Sequence, residues 1–139
     1  MTFLGAIASG GEGLSPYLVS QISVGGKETY QAEASSDGRI MSSHTAKILS
    51  DFLRNNVQNY YGEEQFHGLT VCAKSGTAEV GTQKKPNAMF TGFVADEAYP
   101  LAFIVAVEDG GYGRQVCVPI LSKVLEACKA ELDANPGFS

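Results

Sequence analysis

Tryptophan is absent from this chain, histidine occurs twice and cysteine three times. Each scarcity excludes something. Cys72, Cys117 and Cys128 are widely spaced, form no C-x-x-C pair, and have neither His44 nor His67 beside them in a ligand pattern. No metal or cofactor is therefore expected. Each cysteine falls in an apolar periodic segment and reads as a small buried hydrophobe. Cations are also sparse, 10 against 15 anions for a net charge of −5, with Lys84-Lys85 the only basic doublet. That balance argues against a nucleic-acid partner. No apolar run reaches about 18 residues, so no membrane-spanning segment is expected. The opening "MTFLGAIASGGEG" lacks the basic start of a signal peptide.

What remains is an ordinary globular composition. The 139 residues are 44% apolar and 18% charged, enough for one domain with a real core. Residues 3–9 read as a short helix closed by Gly10-Gly11. The stretches 15–24 and 27–34 read as strands, and Gly25-Gly26 between them signals a hairpin. Residues 42–62 read as an amphipathic helix with a serine cap, an apolar face of Leu49, Phe52, Leu53, Val57 and Tyr60, and a stop at Gly62. Strands are predicted at 69–75, 88–94 and 101–108. The last is apolar throughout and is expected to be central and covered on both faces. A glycine-rich turn at 109–113 leads to a helix over 115–132, in which Pro119 is tolerable only in the first turn. Residues 131–139 are expected to form a frayed tail. The order predicts an α+β fold: an antiparallel sheet flanked by helices.

Chemistry concentrates in "CAKSGTAEVG", residues 72–81. Two readings compete. Gly68 to Ser75 resembles a phosphate-binding loop, but Ala73 stands where glycine is needed, "LTVC" favours a strand, and no helix starts at Ser75. The other reading is a strand. Lys74, Gly76 and Ala78 then point to one face, Ser75, Thr77 and Glu79 to the other. Gly76 lets a peptide approach the backbone, the Ser75 and Thr77 hydroxyls suit a carboxylate, and Lys74 supplies positive potential. A backbone N–H past the glycine suits a developing oxyanion. A solvated strand end with a polar turn accounts for the same tetrapeptide. Asp109, Tyr112 and Arg114 sit in the glycine-rich turn, while His67 precedes the strand without an obvious partner and Glu79 reads as an exposed carboxylate.

The surroundings of the motif carry more weight. "AKSGTAEVG", then "NAMFTGFVADEAYPLAFIVAVE", a glycine-rich turn and "VCVPILSKVLEA" resemble the C-terminal half of penicillin-binding transpeptidase domains. "FLGAIASGGEGLSPYLV" is similar to the segment that precedes this motif in the monofunctional, class B members. The resemblance covers roughly residues 3–130 and implies a partial beta-lactamase/transpeptidase-like fold. It further implies a serine acyltransferase acting on D-Ala-D-Ala stem peptides of peptidoglycan outside the bacterial cell membrane, and acylated by beta-lactams. By match, Lys74 is the electrostatic and proton-network residue and Thr77 offers an oxyanion-hole N–H. Ser75, Gly76 and Thr77 form the substrate-binding strand.

The family's nucleophile is missing from these residues. No Ser-x-x-Lys and no Ser-x-Asn occurs; Ser43 and Lys47, like Ser23 and Lys27, are four apart. The expectation is that chain 1–139 is the C-terminal part of a longer, membrane-anchored transpeptidase and is inactive alone, since acyl transfer needs an activated nucleophile. Self-association through a truncated surface is a further expectation. A beta-lactam sensor, a serine beta-lactamase and a non-catalytic binding module are the rival readings.

Overall fold

The computed structural model describes residues 2–79, 81 and 84–135. Helix α1 spans Thr2–Ala8, followed by strands β1 (Glu12–Leu14), β2 (Gln21–Val24), β3 (Lys27–Gln31) and β4 (Ser36–Arg39). Helix α2 spans Ser43–Asn56, and the main strands are β5 (Val71–Ala78), β6 (Asn87–Val94) and β7 (Ala102–Val107). Helix α3, Gly113–Ala134, closes the fold. The predicted order of helix, hairpin, helix, three strands and helix is present, and the class is α+β.

The three-stranded antiparallel sheet runs β5-β6-β7 without a bulge in either pairing. Alternation along β5 and β6 gives the sheet two covered faces. Val71, Ala73, Ala88, Phe90 and Val94 pack with Cys117, Val118, Leu121 and Leu125 of α3. Cys72 and Phe93, one residue out of step, pack with Ile7 of α1 and Leu49 and Leu53 of α2. Helices thus lie on both sides of one sheet.

Local chemistry explains most boundaries. The Ser42 hydroxyl caps α2 by accepting from the Thr45 N–H at 3.1 Å. Gly25 and Gly26 join β2 to β3 with φ of 59° and 77°, the left-handed pair that a two-residue hairpin turn requires.

Several expectations need correction. The first hairpin is shorter than the periodicity implied, and residues 15–20 form no strand. A second ribbon, β1 with β4, was not anticipated; its glycine and serine content gives no strand pattern. On α2, Phe52 and Tyr60 are exposed, whereas Ala46, Leu49, Leu53 and Val57 form the inward stripe. A π-helical turn, Val57–Tyr61, follows α2 and ends with the Gly62 N–H donating to the Val57 carbonyl. Its wider turn places Tyr61, not Tyr60, over Val57 in the core. Strand β7 is an edge, not the centre; β6 is central. An apolar run does not reveal which neighbours it has. Helix α3 starts at Gly113, so Pro119 lies in its second turn, where it has no N–H to offer the Gln115 carbonyl. The helix also runs to Ala134, and the Asn135 side chain donates to Glu131 Oε1 at 2.7 Å. Residues 131–134 of the expected tail are therefore helical, and its remainder at 136–139 lies outside the described residues. Of the cysteines, Cys72 and Cys117 are buried but Cys128 only partly so.

Candidate active site at the β5 edge

Strand β5 is the sheet's first edge, and its outward backbone groups belong to every second residue. The partners identify which. Arg54 Nη1 donates to the Val71 carbonyl at 3.1 Å, and Asn56 Nδ2 to the Ala73 carbonyl at 3.3 Å. The Ser75 N–H donates to the Tyr61 hydroxyl at 2.9 Å, and Lys74 Nζ donates to the Ser75 carbonyl at 2.8 Å. Odd-numbered residues therefore face outward. By the same alternation Thr77 presents its N–H and C=O to the free edge.

Of the four residues singled out by sequence, Lys74 and Thr77 are exposed, Ser75 and Gly76 half-buried. The Ser75 Oγ lies 3.0 Å from the Tyr61 hydroxyl, so the N–H and the side-chain hydroxyl of Ser75 are tied to one phenol, while its carbonyl accepts from Lys74. Tyr61 is itself fixed by an edge-to-face contact with Phe90, ring centroids 4.9 Å apart. A β-carbon built on Gly76 would meet only Met89 Cβ, at 3.3 Å; that side of the strand is open to a ligand. Among the described residues Lys74 makes no ion pair. Its ammonium thus lies against a strand edge with uncompensated positive charge.

The glycine-rich turn arrives at the same place. The Gly111 N–H donates to the Pro86 carbonyl at 2.8 Å, and the Asp109 N–H to Asn87 Oδ1 at 3.0 Å. Tyr112 occupies the N-cap position of α3, without a side-chain capping bond, and is exposed. Gly113 sits on the backbone of Gly76 and Met89, so Tyr112 and Arg114 flank the motif end of β5. Glu79 is exposed, as expected. His67 does have a partner: its Nε2 lies 3.0 Å from Ser122 Oγ, on the α3 side and away from Lys74. The contact spans 55 residues of sequence, beyond what spacing reveals. Beneath the motif, burial pushes the Cys72 thiol up, an effect that a hydrogen bond from Ser50 only partly offsets. Tyr61, Asn56 and Arg54 were missed at the sequence level. Their roles depend on α2 lying along the β5 edge, and sequence offered no signal for that. No three metal-ligating side chains gather among the described residues.

The chain matches the family model of the penicillin binding protein transpeptidase domain over residues 1–126. It belongs to that family. The peptidoglycan D,D-transpeptidase PbpA of Mycolicibacterium smegmatis is 29% identical over 109 residues, which cover 76% of this chain and 22% of PbpA. Penicillin-binding protein A of Mycobacterium tuberculosis, in its imipenem acyl-enzyme complex, superimposes with a TM-score of 0.81 at 26% identity over 92% of this chain. The D,D-transpeptidase domain of a peptidoglycan glycosyltransferase from Eggerthella lenta gives 0.73 at 27% identity over 96%. The chain spans 29% and 31% of those two structures. In family terms, the β5 edge carries the Lys-Ser-Gly-Thr segment, and the partial transpeptidase-like fold expected from sequence is present.

Proposed function

We propose that this chain is the C-terminal portion of a serine-type penicillin-binding D,D-transpeptidase that cross-links peptidoglycan stem peptides and is acylated by beta-lactams. The observation that carries this reading is the β5 edge. It pairs an exposed Lys74 ammonium with the outward Thr77 N–H, in a chain of the transpeptidase-domain family. The D-Ala-D-Ala carbonyl would lie at Thr77, whose N–H stabilises the oxyanion formed on nucleophilic attack. A lost donor of that kind costs about 2.7–4 kcal/mol. Ser75 and Thr77 bind the terminal carboxylate, Gly76 admits it, and Lys74 holds the site positive and joins the proton network. The serine nucleophile and its base come from elsewhere in the polypeptide, so these residues alone are inactive.

The named activities of the relatives, D,D-transpeptidases of peptidoglycan, support action at the extracytoplasmic face of the bacterial membrane. Among the described residues no helix is long and apolar enough to cross a membrane; the anchor belongs to the rest of the protein. Self-association of the isolated chain through β7 is part of the same proposal. Among the described residues no strand lies beside the outward backbone groups of Ala102, Ile104 and Ala106, and Ile104 is exposed.

A fluorescent penicillin tests the reading. The full-length polypeptide containing these residues labels covalently, and Lys74→Ala abolishes the label. The isolated 139-residue chain does not label. A penicillin adduct on the isolated chain, or full labelling of the Lys74→Ala protein, overturns the assignment.

A further inference from the structure

We infer that Tyr61 is a positioning residue: by holding the Ser75 N–H it makes Thr77 the first open rung of the β5 edge, and so sets the register of an acyl-D-Ala-D-Ala strand laid there. The inference rests on the substrate reading above.

A strand edge specifies register poorly. Ser75 and Thr77 are two residues apart, carry similar hydroxyls, and present their backbone groups in the same direction. A substrate strand that slipped by two residues would keep every side chain on its own face, so alternation gives no protection against it; only a one-residue slip is penalised that way. The slip would carry the scissile carbonyl about 7 Å along β5, at roughly 3.4 Å per residue, and out of reach of any fixed nucleophile. Something must close the Ser75 rung.

Tyr61 closes it with a rigid group. Its hydroxyl accepts from the Ser75 N–H at 2.9 Å and lies 3.0 Å from Ser75 Oγ. The residue is 5% exposed, packed edge-on against Phe90, and its carbonyl accepts from Gln65 Nε2 at 2.6 Å. The π-helical turn supplies the placement, since Gly62 bonds back to Val57 and Tyr61 stacks over the same core position. The other contact on this rung differs in kind. Lys74 Nζ on the Ser75 carbonyl belongs to an exposed, flexible side chain, which a substrate can displace. The remaining inner rungs are covered by Arg54 and Asn56. Each rung before Thr77 thus has at least its carbonyl already engaged.

Residue-resolved amide exchange by NMR on the full-length polypeptide, isotope-labelled over these 139 residues, tests this, comparing the wild type with Tyr61→Phe. The substitution keeps the ring and its packing on Phe90. Without ligand, the Ser75 amide should exchange at least about tenfold more slowly than Thr77 in the wild type, the weight of one net hydrogen bond. It should lose that protection in Tyr61→Phe, while Cys117 in the core stays protected and reports an intact fold. Equal Ser75 protection in both proteins overturns the inference. N-acetyl-D-Ala-D-Ala at saturating concentration is then added. It should protect Thr77 alone in the wild type, and both Thr77 and Ser75 in Tyr61→Phe. Protection of Thr77 alone in both proteins overturns the register role. Protection of neither amide overturns the substrate reading instead, and the ligand-free exchange still decides whether Tyr61 closes the rung.

Discussion

Gly113, the first residue of α3, sits so close to Gly76 that a β-carbon on it would stand 2.6 Å from the Gly76 carbonyl oxygen. The Met89 carbonyl would be nearer still. Both obstacles are backbone, in the two strands that carry and support the motif, so neither can swing away. Gly113→Ala should therefore lift the start of α3 from the sheet and destabilise the chain by about 1–3 kcal/mol, the usual range for overpacking. The urea midpoint measures this. An unchanged midpoint would show that α3 adjusts freely over β5.

The cysteines should react in an order set by burial. Cys72 and Cys117 are buried, and burial raises both thiols above the ordinary range. Cys128 is partly exposed. Iodoacetamide at mildly alkaline pH should alkylate Cys128 first and leave the others until the chain unfolds. The sign of the linkage follows. The unfolded thiols ionise at lower pH than the folded ones, so stability should fall as pH rises past the ordinary thiol range. Replacing Cys72 with Ala should flatten that alkaline limb, read by urea midpoints across it.

The end of α3 is tied to the β6–β7 turn by Tyr99, whose hydroxyl donates to Asp133 Oδ1 at 2.6 Å. Lys129 Nζ donates to Asp133 Oδ2 at 2.8 Å. The Lys129 bond, then the Tyr99 bond, hold the Asp133 carboxyl below its usual range. A depressed carboxyl contributes stability above its unfolded value and loses it as pH falls through the folded value. Asp133→Asn should thus remove part of the acid sensitivity. Both ionic partners are only partly covered, so solvent screening keeps the effect small. A steeper acid limb in Asp133→Asn would contradict the sign.

Strand β7 offers an unprotected edge. From Leu101 to Val107 it carries no charge and no proline, the two features that normally discourage strand addition. Two copies paired antiparallel about Ile104 would set Ala102 against Ala106 and leave no like charges opposed. Light scattering should show dimer growing with concentration. Ile104→Lys, on the exposed face, should return the chain to monomer without changing its unfolding midpoint. A wild type that stays monomeric at high concentration ends this expectation.

The sequence by itself determined the order of the main helices and strands and the alternation along the motif strand. Serine at 42, the Gly25-Gly26 pair and Gly62 act on their nearest neighbours, and the alternation that separates Ser75 from Lys74 is a property of any strand. These are local effects, so they survive reading one residue at a time. Only the tertiary structure decided which strand is the edge. Apolar content made β7 look central, but burial depends on which strands pair, and pairing is a long-range choice. The same holds for the edge of β5. Arg54, Asn56 and Tyr61 are unremarkable in their own helix and turn, and they become caps because α2 packs along that edge and a π-helical turn rotates Tyr61 inward. Hydrogen bonds across 14 to 17 residues leave no periodic trace in sequence, because they are fixed by the packing of one element on another.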